Sequence, residues 1–178
     1  MSGGCVVWLT GLSGSGKTTA ALTLSSLLAD RTSRASYVLD GDRLRNGLNA
    51  DLGFTPFDRE ENVRRAAAVA ALMADAGLIV IVALISPYRA GRDGARALAH
   101  PYPFFEIYLE TPLEQCELRD PKGLYRRARR GEIEQFTGIS APYEPPLRPD
   151  LTLDTTVATP DEIGERLFAF LAERSVIS

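Results

Sequence analysis

Eight residues near the start of the chain constrain its fold more strongly than any others. Residues 11–18 read GLSGSGKT and match the pattern G-x-x-x-x-G-K-[ST]. The pattern follows an apolar run at residues 5–10 and precedes a helix predicted at residues 17–30. In this strand, loop and helix order, glycines let backbone N–H groups surround a phosphate at the start of the helix. The pattern therefore predicts a phosphate-binding loop (P-loop) in an α/β fold.

The rest of the chain alternates between strand and helix patterns. Further strands are predicted at residues 37–40, 78–85, 104–109 and 151–154, and further helices at residues 66–74, 89–98, from 112 and at 160–173. Such alternation is typical of a parallel sheet with helices on both faces, so we expect a three-layer α/β fold. We expect one domain over residues 1–178. Residues 131–149 are too irregular for a simple connector and belong to a mobile lid predicted at about residues 119–149.

Two helix starts carry a full capping pattern. Thr111-Pro-Leu-Glu and Thr159-Pro-Asp-Glu each place threonine at the N-cap, proline at the first helical position and glutamate at the third. Both threonines are therefore predicted to cap helices.

Residues 66–85 form an apolar stretch with one charge, Asp75, and could be mistaken for a membrane span. Its first half is rich in Ala, Leu and Met, which favour helix, whereas LIVIVALI at 78–85 is typical of a buried strand. Gly77 between the two halves is typical of a helix end. We predict a helix followed by a buried strand.

Composition and charge limit the partners of the chain. A net charge of −3 and a pI near 5.3 give no overall attraction to nucleic acid or anionic membrane, so anion binding has to be local. The two cysteines, Cys5 and Cys116, form no C-x-x-C pair and are expected to be buried thiols of a cytoplasmic protein. His100 is the single histidine, which excludes a multi-histidine metal site.

Two acids after the second predicted strand indicate what the bound phosphate is used for. Lys17 is expected to reach the β- and γ-phosphates, and the Thr18 hydroxyl to bind Mg²⁺. Asp40 and Asp42 lie where loops of a parallel sheet line the ligand crevice. A carboxylate there can support Mg²⁺ or accept the proton of an acceptor hydroxyl, as in small-molecule kinases. A GTPase is disfavoured because no N/T-K-x-D motif occurs, and an ATPase motor because the third strand ends at Ser86 and not at an acid.

Stacking and anion-binding residues follow these acids and indicate the acceptor. Arg45, Phe54, Arg59 and Asn62 lie between the second strand and the next predicted helix, and Phe136 lies in the irregular region. Two phenylalanine rings can sandwich a planar base, and arginines suit phosphate or sulfate oxygens. Taken singly, a phenylalanine is more often a core residue and an arginine more often a solvated one.

These segments together resemble the adenylylsulfate kinase (APS kinase) family. Its members convert adenosine 5'-phosphosulfate (APS) and ATP to 3'-phosphoadenosine 5'-phosphosulfate (PAPS) and ADP. The matching segments are GLSGSGKTT at 11–19, LDGD with Arg45 at 39–45, GLNADLGF at 47–54, DREENVRR at 58–65, ISPYRAGRD at 85–93, RDPKGLYRRAR at 119–129, GEIEQFTGI at 131–139 and APYEPP at 141–146. The P-loop alone would indicate only a superfamily, whereas LGF, ISPYR, DPKGLY and FTGI are specific to this family. Arg43 stands where the family usually has asparagine.

The resemblance implies a three-layer P-loop kinase fold and a role for each matched residue. Asp42 is the expected base at the 3'-hydroxyl, and Asp40 and Thr18 are expected at the magnesium site. The expected ATP contacts are Gly11, Ser13, Gly14, Ser15, Gly16, Lys17, Thr18, Thr19, Arg119 and Val157. The expected APS contacts are Asp40, Asp42, Arg45, Phe54, Arg59, Asn62, Ile85, Ser86, Lys122, Leu124, Phe136 and Thr137.

Two further expectations concern catalysis. Ser86 is a candidate catalytic residue because the family resemblance associates it with a phosphoserine intermediate, although a P-loop can also place the γ-phosphate directly in line with the acceptor. The basic segment at residues 119–130 is expected to close over ATP, with Arg119 on the adenine and with Arg127 and Arg130 solvated.

The expected partners are small molecules. They are ATP with Mg²⁺ and APS, with neither nucleic acid nor membrane, while a homodimer and an association with an ATP sulfurylase are compatible with the resemblance. Two alternatives stay open: a P-loop kinase for another anionic acceptor, and a nucleotide-binding module without turnover. The sequence does not decide between sulfate assimilation and a specialised sulfation pathway.

Overall fold

A computed structural model describes residues 3–177 and organises them around one parallel sheet. The elements are β1 (Cys5–Thr10), α1 (Lys17–Arg31), β2 (Ser36–Asp40), α2 (Gly41–Arg45), α3 (Pro56–Asp75), β3 (Ile79–Ala83), α4 (Arg89–Ala99), β4 (Phe104–Glu110), α5 (Leu113–Arg119), α6 (Leu124–Arg129), β5 (Leu151–Asp154) and α7 (Pro160–Glu173). The sheet has the order β2-β3-β1-β4-β5, and all its strand pairs are parallel. The predicted strands and the central parallel sheet are confirmed.

Alternate side chains of the central strand β1 face two different helix layers. Cys5, Val7 and Leu9 are buried in the cluster that includes residues of α1 and α7. Val6 and Trp8 are buried in the cluster that includes residues of α3 and α4. Because successive strand residues point to opposite faces, one fully buried strand supplies both cores. The predicted three-layer arrangement is confirmed.

The apolar stretch at residues 66–85 is divided as predicted. α3 ends at Asp75, and Gly77 follows it with a φ of 90°, a left-handed conformation that favours glycine. β3 then begins at Ile79 and is buried throughout. Within residues 3–177, no helix has both the length and the apolar character needed to cross a membrane.

The helix before β3 begins much earlier than the prediction of residues 66–74. α3 starts at Pro56, and Thr55 and Asp58 form a reciprocal capping box at its N-terminus. Arg59 and Asn62 were expected in the connection between the second strand and the next predicted helix, but they lie within this helix. The first turns of α3 are strongly polar, so they lack the apolar periodicity by which a helix is recognised in a sequence.

Only one of the two predicted threonine caps is correct. Thr159 accepts a hydrogen bond from the backbone N–H of Glu162 and forms a capping box with it. Thr111 caps nothing, and α5 begins after Pro112. The Thr111 hydroxyl is instead 2.6 Å from that of Thr155, so it links the ends of β4 and β5.

The segment predicted as a lid forms a small apolar cluster together with α5 and the P-loop. Cys116, Tyr125, Ala128 and Phe136 are buried together there, separately from the two main cores. Both predicted thiols, Cys5 and Cys116, are free and buried. The helix α6 within the segment is short, and its mobility stays a prediction.

A glycine inside α7 provides a test of the packing between α7 and α1. A Cβ at Gly164 would lie 2.4 Å from Cγ2 of Thr23, so an alanine there forces the two helices apart. We expect Gly164→Ala to lower the free energy of unfolding by about 1–3 kcal/mol in urea denaturation. Gly94→Ala in α4 is the matched control: nothing lies within 4 Å of its Cβ position, so the better helix propensity should add about 0.5–1 kcal/mol. Equal effects of the two substitutions would contradict this packing.

Candidate active site

The predicted functional segments meet at one edge of the sheet. The P-loop follows β1, Asp40 ends β2, Ser86 follows β3, and Thr155 follows β5. In a parallel sheet all of these strand ends lie along the same edge, where ligands bind in open α/β folds. The topology therefore places the two groups of predicted ligand contacts next to each other.

The P-loop has the backbone conformation that its glycines predict. Gly11, Gly14 and Gly16 have φ values of 151°, 77° and 91°. A Cβ at Gly11 would also lie 2.8 Å from the carbonyl oxygen of Leu109. Glycine is therefore required here both for conformation and for space. Thr18 and Thr19 are exposed in the first turn of α1, whose N-terminus can stabilise an anion.

The P-loop lysine is buried against its own loop. Lys17 Nζ donates hydrogen bonds to the carbonyl oxygens of Gly11 at 2.9 Å and Leu12 at 2.6 Å and to Ser15 Oγ at 3.3 Å. Burial lowers the pKa of Lys17 to about 8, although the carboxylates of Asp40 and Asp42 act in the opposite direction. The ammonium is thus held at the loop that would receive phosphate oxygens.

Asp40 joins the P-loop to the acceptor side of the site. Its Oδ2 accepts a hydrogen bond of 2.7 Å from the Thr18 hydroxyl. Its Oδ1 accepts a bond of 3.0 Å from the backbone N–H of Asp42 and so caps α2, a short helix absent from the sequence prediction. The Asp42 side chain is exposed at the first turn of that helix. The two predicted acids are therefore brought together, and each has a different environment.

Two side chains from the α5–α6 region contact this site directly. Lys122 forms an ion pair with Asp42 Oδ2. The Tyr125 hydroxyl donates a hydrogen bond of 2.8 Å to the carbonyl oxygen of Ser13 in the P-loop. Leu124 is half-buried and packs against the apolar cluster of the same segment. The segment thus lies against both the P-loop and the acceptor-side acid.

Phe54 lies between two arginines, as the predicted grouping requires. Its ring is 52% exposed. The guanidinium carbons of Arg45 and Arg59 are 4.3 and 5.6 Å from the ring centroid. Arg59 also donates hydrogen bonds to the carbonyl oxygens of Phe54 at 3.0 Å and Gln135 at 2.6 Å. Arg59 therefore ties the Phe54 segment to the segment that carries Phe136 and Thr137.

Phe136 belongs to an apolar cluster, although no periodicity in the sequence marked it as a core residue. Its side chain is buried and packs edge-on against Tyr125, with ring centroids 5.0 Å apart at 80°. Short segments with few apolar residues can still form a satellite core when helices such as α5 and α6 fold against them, and periodicity does not reveal this. Stacking of a base on Phe136 stays a prediction. The neighbouring Thr137 is also buried, and its hydroxyl has no hydrogen-bond partner among residues 3–177.

Arg119 lies between the P-loop and the loop after β5. Its guanidinium donates hydrogen bonds to the carbonyl oxygen of Gly14 at 3.3 Å, to Thr155 Oγ1 at 3.0 Å and to the Thr155 carbonyl oxygen at 2.5 Å. Val157 follows two residues later and is 83% exposed. Arg119 thus connects the P-loop to the loop that carries Val157, another predicted ATP contact.

Ser86 is buried in a hydrogen-bond network that the sequence analysis missed. Its Oγ accepts a bond of 3.0 Å from the Trp8 indole N–H and donates one of 3.2 Å to Thr10 Oγ1. The Thr10 hydroxyl donates to the carbonyl oxygen of Ile85 at 2.7 Å and lies 2.9 Å from the Tyr143 hydroxyl. Trp8 and Thr10 belong to an apolar strand, so nothing in their local pattern indicated a polar role.

A second missed residue is Asn49, which is fully buried beside Asn62. The Asn49 side-chain amide donates a hydrogen bond of 2.9 Å to Asn62 Oδ1. It fixes the orientation of the Asn62 side chain, a predicted APS contact. The signal available in the sequence was the asparagine within the motif GLNADLGF. A side-chain amide that is buried needs a hydrogen-bond partner, which here is Asn62.

The unusual Arg43 contacts neither acid of the site. Its guanidinium carbon is 5.8 Å from the Tyr37 ring centroid, and Nη2 donates to the Tyr37 hydroxyl at 3.3 Å. The arginine is thus accommodated beside β2.

A phosphate-binding loop whose Thr18 hydroxyl binds Asp40, an acid that also fixes the backbone of Asp42, is typical of P-loop phosphotransferases. Comparison with known proteins gives the particular family. Residues 3–154 match the model of the adenylylsulphate kinase family. The chain therefore belongs to this family.

Individual relatives agree with the family match. A probable adenylyl-sulfate kinase of Halalkalibacterium halodurans is 52% identical over 167 residues, which cover 94% of this chain and 82% of that protein. An adenylyl-sulfate kinase of Staphylococcus epidermidis is 49% identical over 172 residues, covering 97% and 86%. The structure of a Mycobacterium tuberculosis APS kinase in complex with AMPPNP and APS has 48% identity and a TM-score of 0.93, covering 97% of this chain and 99% of that one.

The position of Arg119 generates a test of the nucleotide side. Arg119→Ala removes the hydrogen bonds to Gly14 and Thr155 but leaves the buried cores intact, because the side chain is exposed. We expect an ATP analogue to bind roughly 10-fold more weakly in calorimetry, with little change in melting temperature, since charged hydrogen bonds contribute about 1.5–3 kcal/mol. Arg130→Ala is the control, because Arg130 is exposed and pairs with Glu132. Equal affinity of both variants for the ATP analogue would contradict a role of Arg119 in nucleotide binding.

Proposed function

We propose that this chain transfers the γ-phosphoryl group of ATP to the 3'-hydroxyl of adenosine 5'-phosphosulfate, which yields PAPS and ADP. The observation that carries the proposal is the double use of Asp40. This carboxylate binds the P-loop hydroxyl of Thr18 and the backbone of Asp42 at the same time. A phosphoryl donor on the P-loop and an acceptor hydroxyl at Asp42 would therefore be neighbours, as direct in-line transfer requires.

Asp42 is the proposed proton acceptor. Its carboxylate takes the proton of the 3'-hydroxyl as the ribose oxygen forms a bond to the γ-phosphorus and the bond from that phosphorus to the β,γ-bridging oxygen of ATP breaks. Its exposed position leaves it accessible to a substrate hydroxyl. Lys122, which pairs with Asp42, and Lys17 on the P-loop supply positive charge on either side of the transfer.

The residues at the P-loop fit a magnesium ion bound together with ATP. Thr18 Oγ1 and the Asp40 carboxylate are oxygen ligands 2.7 Å apart. Mg²⁺ prefers one or two protein oxygens that are completed by phosphate oxygens and water. Within residues 3–177, no cluster of three His, Cys, Asp or Glu side chains offers an all-protein metal cage. Thr18 and Asp40 would hold the ion, which would supply positive charge at the β- and γ-phosphates, and the hydrogen bond between Thr18 and Asp40 keeps their oxygens together.

The acceptor side suits an anionic purine nucleotide better than a neutral sugar. Phe54 offers a half-exposed ring for a base, and Arg45 and Arg59 place two guanidinium groups beside it. Planar guanidinium groups bind phosphate and sulfate oxygens through paired hydrogen bonds. The solved structure of the mycobacterial relative is a complex with AMPPNP and APS, which supports this acceptor. A neutral acceptor would require neither arginine.

The acid Asp42 argues against one alternative, and the acceptor that is consumed distinguishes the other. A binding module without turnover has no use for Asp42 on the acceptor side. A kinase for a different nucleotide would use the same P-loop, and it is distinguished by the acceptor consumed. The homodimer, the association with an ATP sulfurylase and the cytoplasmic location stay predictions.

Product identification tests the activity. Incubation of the wild-type protein with ATP, Mg²⁺ and APS should give PAPS and ADP, whereas AMP in place of APS should give neither a phosphorylated nucleotide nor rapid ADP release. Asp42→Asn should lower kcat by about 10²–10⁴-fold, because general-base catalysis is lost. Asp93→Asn, an exposed carboxylate on α4, is the control and should match the wild type. Absence of PAPS, or an active Asp42→Asn variant, would overturn the proposal.

A serine substitution separates direct transfer from a phosphoserine pathway. Ser86 is buried, and its Oγ is bonded to Trp8 and Thr10, which favours a supporting role. We expect Ser86→Ala to keep kcat within about tenfold of the wild type and to lose about 1–3 kcal/mol of stability, because the Trp8 N–H is left unpaired. A loss of more than about a hundredfold, or trapped labelled phosphoserine, would support the covalent route.

A further inference from the structure

A buried arginine lies directly behind the turn that follows β3. Arg92, in the first turns of α4, has a side chain that is 2% exposed. Its Nε donates a hydrogen bond of 2.6 Å to Glu106 Oε1 on β4. Nη1 donates to the carbonyl oxygen of Ser86 at 2.7 Å, and Nη2 donates to that of Glu144 at 2.7 Å. One planar group therefore joins three separate parts of the chain.

The turn that Arg92 contacts has a strained backbone. Ser86 has a φ of 42° although it is not glycine. Such a conformation persists only when neighbouring groups fix it from several sides. Trp8 and Thr10 hold the Ser86 side chain, and Arg92 holds its carbonyl oxygen. Two of these partners also reach residues 141–146: the Thr10 hydroxyl lies 2.9 Å from the Tyr143 hydroxyl, and Arg92 donates to the Glu144 carbonyl oxygen.

The second segment that Arg92 contacts is the C-terminal part of the predicted lid segment. Glu144 lies in the proline-rich stretch after Phe136 and Thr137. Its backbone N–H donates to the Pro87 carbonyl oxygen at 2.8 Å, and its carboxylate accepts from the Arg89 backbone N–H at 2.8 Å. Arg92 therefore fixes the Ile85–Ser86 turn and the end of the lid segment relative to each other.

Stability alone does not account for a charged group at this position. Burying an ion pair such as Arg92 and Glu106 costs desolvation energy, and apolar replacements of buried pairs are often neutral or stabilising. What an apolar side chain cannot do is hold two carbonyl oxygens and a carboxylate in one plane. The guanidinium group of Arg92 is therefore suited to fixing the Ser86 turn, Glu144 and Glu106 relative to one another.

We propose that Arg92 is a positioning residue for the acceptor nucleotide: it sets the Ile85–Ser86 turn and the lid return at residues 141–146 so that together they bind APS. The proposal rests on the proposed function, because it takes Ile85 and Ser86 as acceptor contacts. Arg92 itself touches neither substrate. Its contact with the Ser86 carbonyl oxygen is on the acceptor side of the proposed site, and Glu106 on β4 anchors the guanidinium, whereas the P-loop and Arg119 serve the nucleotide donor. The expected signature is a selective change in KM for APS.

A neighbouring arginine is a matched control. Arg96 lies one helical turn further along α4 and also donates to a backbone carbonyl oxygen, that of Phe104 at 2.7 Å, and to a carboxylate, that of Asp150 at 2.8 Å. It is 43% exposed and contacts neither Ser86 nor Glu144. Arg92→Met and Arg96→Met thus each remove an arginine that binds backbone and carboxylate, but only the first removes the link to the turn.

The experiment measures KM for APS and for ATP separately, together with the melting temperature. We expect Arg92→Met to raise KM for APS at least 10-fold with KM for ATP within about twofold of the wild type, and Arg96→Met to leave both KM values within about twofold. Arg92→Lys keeps the charge near Glu106 but not the planar fork, so it should give an intermediate KM for APS. If Arg92→Met does not fold, KM for APS and KM for ATP are compared instead in Arg92→Lys and in the double variant Arg92→Met with Glu106→Gln.

Each outcome separates this proposal from the proposed function. An unchanged KM for APS in the folded Arg92 variants, or equal rises in both KM values, would overturn the positioning role while wild-type PAPS formation still supports the activity. If the wild type formed no PAPS, both proposals would fail.

Discussion

The carboxylate of Asp40 uses its two oxygens for two different parts of the site. Oδ2 accepts a hydrogen bond from the Thr18 hydroxyl on the P-loop. Oδ1 accepts a hydrogen bond from the backbone N–H of Asp42 and so caps the N-terminus of α2. This works because β1 and β2 are parallel, so that the loops after both strands leave the sheet at the same edge. The position of the acceptor-side acid relative to the phosphate loop therefore depends on one short, partly buried hydrogen bond between Thr18 and Asp40.

Hydrogen bonds from buried polar side chains hold Ser86 and Asn62, two of the predicted acceptor contacts. Trp8 and Thr10 extend from the central strand to the Ser86 turn, and Asn49 orients Asn62. Buried polar groups are costly unless they are hydrogen-bonded, and these bonds favour one geometry of the Ser86 and Asn62 side chains, while Asn49 Oδ1 has no partner among residues 3–177. The lid segment is built differently, since its apolar cluster around Tyr125 contacts the P-loop through the Tyr125 hydroxyl and through apolar packing on Leu12.

Local patterns predicted some elements well and misplaced others for identifiable reasons. The P-loop, the strands and the Thr159 cap follow from short-range signals, namely glycine conformation, apolar runs and a capping pattern. The start of α3 was missed because its first turns are polar. Thr111 has the same local pattern as Thr159, but its hydroxyl is bonded to Thr155, which is distant in sequence. Phe136 lacks any periodic signal, yet it is buried against Tyr125.

The sequence by itself determined the phosphate-binding loop, the three-layer architecture, the family and the set of residues at the edge of the sheet. These depend on interactions between residues close together along the chain, or on motifs whose order is preserved. Only the tertiary structure decided which of those residues touch: Lys122 with Asp42, Arg59 with Gln135, and the network behind Ser86. Such contacts join residues far apart in sequence, and they form only after the sheet has brought its strand ends together.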